Sequence, residues 1–292
     1  MAKALINPDN ENAEHKDDED GMSFHYFDED ISRNVPSSLR YLSLIYLCIS
    51  LISVILLENK AKTVEDDSEA EEMCPTLIAG VKTFTFRLLC VSLYCSTAAG
   101  YYVIGAYKNF GQEMIDDDEF LTLAGCIGSL FNGSFRYGWA HAMERYDFKL
   151  VYLTLCVIQT AVVSSFYHIG KVKGLFFVWI CVINCTEGGN FSLFPAVLTK
   201  LYGKKRAAEL CGVLFIVLAF SAITGFVMEI YLLKHVGYLA MFAALGMITS
   251  MSFFLMLFKF EEKPPLINDD LIKTGNKDIV IDSTIQIGSS YY

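Results

Sequence analysis

Basic residues are scarce in this sequence. Lys and Arg number 23 against 33 Asp and Glu, leaving a formal net charge of −10 over 292 residues. Nucleic acid is bound through basic surface, so this balance excludes it as a partner. Histidine is sparse too, with five in the chain. His141 and His168 fall at or near loop ends, with no nucleophile or metal arrangement beside them. The nine cysteines show no metal-ligand spacing. The chain is therefore read as a non-enzyme, without metal or cofactor. The first 20 residues include DDED and no apolar run, so no signal peptide is expected in them.

Charge is nearly absent from seven long blocks, and these set the class. The chain is 53% hydrophobic with mean hydropathy +0.39. The apolar residues gather at about 39–57, 86–107, 120–143, 150–168, 174–199, 210–233 and 236–258. One helix needs about 20 apolar residues to cross a bilayer core. Backbone in lipid must satisfy its own hydrogen bonds, which predicts helices here. Runs such as LLCVSLYC and VLFIVLAF lack the alternation of a barrel strand. Eight of the nine cysteines lie in these blocks, where thiols pack as small hydrophobes. The expectation is an all-α, multi-pass membrane protein with about seven transmembrane helices.

The acidic charge sits between and beyond the blocks. Residues 1–38 hold ten acidic and three basic residues and read as a disordered tail. An isolated helix over 39–57 follows, then an acidic loop at 58–82 with seven acids against three bases. A six-helix unit spans 83–260, and 261–292 forms a second acidic tail. Lys and Arg in short loops set orientation. Eleven fall on the side of the 58–82 loop and six on the other, placing that loop and the C-terminus in the cytoplasm.

Polar residues inside the blocks mark candidate sites, because a charge at membrane depth normally faces a cavity or a partner. Arg136 lies late in the third block, with Asn132 four residues earlier on the same helix face. Together they offer a cation and an amide to a small anion, as a substrate-binding pair. Glu187, near the centre of the fifth block, is the proton-coupling candidate. Gly188 and Gly189 permit close helix packing, and Pro195 favours a kink. Glu229 lies near the outer end of the sixth block and reads as interfacial.

Three stretches carry a family resemblance. The first is YKNFG (Tyr107 to Gly111) with DDDEFLTLAGCIGSLFN after it. The second is NGSFRYGWAHAMERYDFK, and the third is EGGNFSLFPAVLTKLYGKKRA (Glu187 to Ala207). In this order they resemble the C-terminal half of the major facilitator superfamily. Within it, they are similar to the oxalate/formate antiporter and monocarboxylate transporter group. The second stretch looks like that family's Asn-Gly-x-x-Arg helix followed by its charged cytoplasmic gate loop. The resemblance assigns Glu144, Arg145 and Lys149 to that loop and makes the seven spans the sixth to twelfth of a twelve-helix transporter.

The departures are specific. The loop has Ala140, Asp147 and Phe148 where the family has glycine, glycine and arginine, and Glu144 replaces aspartate. Asn132 stands where monocarboxylate transporters carry an acid. Residues 210–233 contain no lysine or arginine, so the second anchor for a dicarboxylate is missing. The resemblance implies a secondary transporter, or half of one, moving a small organic anion by alternating access, with a monocarboxylate favoured. Its partners would be the lipid bilayer, the anion, and either a second six-helix half or a second copy. The alternative is a non-transporting membrane protein: an interaction partner, a sensor or an inactive remnant.

Overall fold

The computed structural model describes residues 15–19, 22–26, 29–56 and 76–263. The acidic stretch 57–75 and the tail from 264 onward lie outside the described residues. The chain divides into two units, Met1–Glu69 and Ala70–Tyr292.

In the first unit, His15–Glu19 and Met22–Tyr26 pair as an antiparallel hairpin within the acidic segment, His15 opposite Tyr26. MSFHY alternates apolar and polar residues in the manner of a strand. A single turn, Glu29–Ser32, precedes α1, Asn34–Leu56. This helix has no acidic residue in its first turn and no basic residue in its last, and carries serines that bond back to their own turn, such as Ser43 Oγ to Leu39 O at 2.8 Å.

The described elements of the second unit are helical: α2 (Leu77–Lys82), α3 (Phe84–Ile115), α4 (Asp118–Arg145), α5 (Phe148–Ile169), α6 (Lys173–Val227) and α7 (Leu233–Lys259). Local chemistry fixes several boundaries. Thr76 caps α2 by accepting from Ala79 N. Thr83 caps α3 by accepting from Phe86 N at 3.3 Å. Asp117 caps α4 at Phe120 N, and Asp118 and Glu119 add negative charge where the helix dipole favours it. Asp116 bends the chain between α3 and α4 with φ 52°.

Four helical stretches are long and apolar enough to cross a membrane: Asn34–Leu56, Phe84–Ile115, Phe148–Ile169 and Lys173–Lys259. The last is 87 residues and holds the three apolar blocks 174–199, 210–233 and 236–258. Its backbone leaves helical geometry at Gly203 (φ 79°) and Gly237 (φ 72°). Positive φ is open to glycine at little cost, so these two residues are where the chain can turn. Between them, Met228–Leu232 forms a π-helical turn. The block at 120–143 lies in α4, which is not among the four. Its second half carries Asn132, Arg136 and His141 among the apolar residues.

Helix α3 is the axis of the unit, with buried residues from Phe86 to Gly111. Near one end, Phe110 gathers the rings of Phe166, Phe176, Tyr238 and Phe242, its closest centroid lying 5.0 Å away at Tyr238. Near the other, Phe148 packs on Tyr152, Phe194 and Phe260. In a bilayer such packing would act through dispersion and shape, because lipid tails are equally apolar.

Candidate functional site

Helix α4 lies against the first part of α6 because two glycines let it. A Cβ on Gly188 would sit 2.3 Å from Asn132 O and 3.4 Å from Arg136 Cγ. A Cβ on Gly189 would meet Leu155 Cδ1 at 2.4 Å and the Trp139 ring at 3.0 Å. Trp139 donates from Nε1 to Cys185 O at 2.9 Å, tying the same two helices together. This approach puts Arg136 beside the Glu187–Asn190 turn.

Arg136 donates from Nε and Nη2 to Asn132 Oδ1, at 3.3 and 3.1 Å. Its guanidinium lies over the Phe191 ring, 4.5 Å from the centroid, in cation–π geometry. Among the described residues no carboxylate pairs with it. The side chain is exposed, and Asn132 is half-buried. The amide and the aromatic face orient the cation without neutralising it. A planar guanidinium so held can take a carboxylate bidentately.

Glu187 is fully buried. Its Oε1 accepts from Gln159 Nε2 at 2.9 Å and from Asn190 Nδ2 at 3.4 Å. Ser96 Oγ donates to Gln159 Oε1 at 2.7 Å and accepts from Asn190 Nδ2 at 3.0 Å. Gln159 Nε2 also donates to Ser96 O at 2.9 Å. Four side chains from α3, α5 and α6 thus form one buried ring of hydrogen bonds. Among the described residues, Glu187 Oε2 has no partner. A second layer adjoins it: Tyr152 Oη donates to Ser92 O and bonds Ser252 Oγ, and Thr97 bonds Ser221.

Pro195 lies inside α6 and removes one helical donor. It lines a small pocket with Leu93, Phe191, Leu214 and Leu218, whose polar wall includes Asn190. Glu229 lies in the π-helical turn, half-buried, and accepts from Asn109 Nδ2 at 2.9 Å.

The loop residues do different things. Glu144 meets His141 Nδ1 at 3.0 Å, and Arg145 ends α4, exposed. Lys149 Nζ donates to Phe260 O at 2.9 Å. Asp147 makes no side-chain cap to α5; instead Glu262 Oε2 accepts from Lys149 N at 3.4 Å. The other oxygen of Glu262 holds Lys200 Nζ. That hydrogen bond keeps the Lys200 ammonium above the usual lysine range.

Sequence reasoning singled out Arg136, Asn132 and Glu187 but missed Ser96, Gln159 and Asn190. Gln159 had a readable signal, a lone amide in the apolar run LCVIQTAVV. Among the described residues, no group of three or more His, Cys, Asp or Glu is placed to hold a metal ion. No family model matches the chain, and no curated protein matches it significantly.

Proposed function

We propose that this chain is a secondary transporter, or half of one, that moves a small organic anion by alternating access. The substrate is a monocarboxylate held by Arg136, with Asn132 orienting the guanidinium. The observation that carries the reading is the state of Arg136. It lies in a helix among membrane-length neighbours, its described partners are a neutral amide and an aromatic ring, and no described carboxylate neutralises it. Such a charge is costly to keep unless it serves a ligand or a partner.

The helix arrangement supports the same reading. The 87-residue stretch, with non-helical backbone at Gly203 and Gly237, would supply three spans, and with α1, α3, α5 and the less apolar α4 the proposed count is seven. Six of these would form the facilitator-type half that the motifs suggest. Lys149 is engaged with the residues just past α7, a contact that suits a cytoplasmic loop holding the helix ends together.

The test is counterflow. Purified protein in liposomes preloaded with an unlabelled short-chain monocarboxylate exchanges it for labelled external anion, and Arg136→Ala abolishes exchange without loss of folding. Full exchange in Arg136→Ala sinks the site assignment. No exchange with any of a panel of monocarboxylates and dicarboxylates sinks the transport reading.

A further inference from the structure

The hydrogen-bond ring around Glu187 is directional, and its direction locates a proton. Gln159 Nε2 donates both to Glu187 Oε1 and to Ser96 O, at 2.9 Å each. Turning that amide over would set its oxygen against two acceptors, so the orientation is fixed by its surroundings. Gln159 Oε1 is then the acceptor for Ser96 Oγ, at 2.7 Å. Ser96 Oγ accepts from Asn190 Nδ2, which also reaches Glu187 Oε1. Both donors thus converge on Oε1, and among the described residues Oε2 is left as the one unpaired side-chain atom of the ring.

No cation touches this carboxyl among the described residues. A carboxylate held in a fully buried site without a counter-ion carries a desolvation penalty, and two amide donors on one oxygen offset only part of it. A proton removes the charge. Oε1 already receives two N–H groups, so the proton belongs on Oε2.

We propose that Glu187 carries an exchangeable proton on Oε2, which makes the Ser96–Gln159–Asn190–Glu187 ring a proton-binding centre separate from the anion position at Arg136. Binding forms one O–H bond from a proton delivered by water, and release breaks it and returns the proton to water, leaving a carboxylate. Release needs a positive charge nearby. Arg136 is the cation available on α4, where its Cγ already lies 3.4 Å from the position of a Cβ on Gly188. A slide of α4 along the Gly188–Gly189 surface brings its guanidinium toward Glu187. The other groups near the centre are Tyr101 on α3, within electrostatic reach of both Glu187 and Arg136, and Tyr152 on α5, which reaches Ser96 and Cys156. The second part of α6 contributes Ser221 through Thr97, and α7 contributes Ser252 through Tyr152. Use of the centre to couple proton flow to anion flow rests on the transport reading; the proton site itself does not.

The experiment is infrared difference spectroscopy on the purified full chain, stepped between acid and alkaline buffer. A protonated carboxyl shows a carbonyl band that disappears on ionisation. We expect such a band in the native protein, lost in Glu187→Gln and kept in Glu229→Gln. Gln159→Leu moves it to higher frequency, because the carbonyl oxygen Oε1 loses its 2.9 Å donor. Thermal unfolding of each variant checks that it is folded. A native protein without a titrating band, or a band unchanged in Glu187→Gln, overturns the proposal. In liposomes, Glu187→Gln lowers the ratio of accumulation driven by a pH gradient to counterflow exchange relative to the native protein. An unchanged ratio overturns the coupling. Absent exchange in the native protein strikes the Arg136 reading and leaves the infrared result standing.

Discussion

Gly100 and Glu187 share one space. A Cβ on Gly100 would lie 1.7 Å from Glu187 Oε1 and 2.2 Å from its Cδ. The carboxyl end of Glu187 therefore rests against the bare backbone of α3, and the hydrogen-bond ring closes only because residue 100 has no side chain. Gly100→Ala forces the carboxyl away from Gln159 and Asn190, and overpacking of this kind costs about 1–3 kcal/mol. Thermal unfolding in detergent should fall accordingly. Adding Glu187→Ala to Gly100→Ala should cost less than the sum of the two single changes, because the clash and the stranded carboxyl vanish together. Strict additivity would mean that the two residues do not meet.

Gly188 faces a stiffer neighbour. Its added Cβ would meet a backbone carbonyl, Asn132 O, at 2.3 Å, and a main chain cannot rotate aside as a carboxyl can. Gly188→Ala is expected to push α4 off α6 and to destabilise the protein more than Gly100→Ala. Both unfolding curves, measured side by side, check the order. A Gly188→Ala protein as stable as the native one would show that the two helices are not packed at this distance.

The contrast between these sites shows what the sequence made legible. The apolar blocks identified the helical stretches because membrane-length hydrophobic runs leave few alternatives. Gly188, Gly189 and Arg136 were found because small or charged residues inside such runs are rare and local in their meaning. The partners of Glu187 were not found. Ser96 and Gln159 lie 63 positions apart on two other helices, and nothing in the local pattern links them to Glu187, while Asn190 follows it by three residues on its own helix. The role of Gly100 was hidden for the same reason, since its neighbour lies 87 positions along the chain. Block 120–143 reads as a span like the others, yet α4 is the least apolar of the long helices because its second half carries polar side chains.

Glu262 joins Lys200 to the start of α5, and this contact responds to pH in a definite direction. Hydrogen bonding to Glu262 raises Lys200 above the usual lysine range. A cation raised on folding stabilises the fold fully below its unfolded value, and the contribution disappears as pH climbs through the raised folded value. Lys200 is about half exposed, so solvent screening limits the pair to at most about 1 kcal/mol. Glu262→Gln should lower the unfolding temperature slightly at neutral pH. The difference from the native protein should shrink in strongly alkaline buffer. A gap that widens with rising pH would contradict the assignment.

If Arg136 holds the anion as proposed, Asn132 sets how available its guanidinium is. Its Oδ1 receives two guanidinium bonds, 3.3 and 3.1 Å long, yet it carries no charge, so the cation stays unneutralised. Asn132→Asp keeps the shape and adds a carboxylate four residues before Arg136, the spacing at which helical ion pairs form. An incoming anion must then displace an internal one. A charge-assisted hydrogen bond is worth about 1.5–3 kcal/mol, which converts to a loss of anion affinity of roughly tenfold to a hundredfold. Asn132→Ala removes only the orienting amide and should cost less. Stability should move the other way, with Asn132→Asp at least as stable as the native protein and Asn132→Ala slightly less so. Anion affinity measured by concentration-dependent exchange, set beside unfolding temperatures for the three proteins, tests both orders. Equal affinity in Asn132→Asp and the native protein would mean that the transported anion does not bind at Arg136.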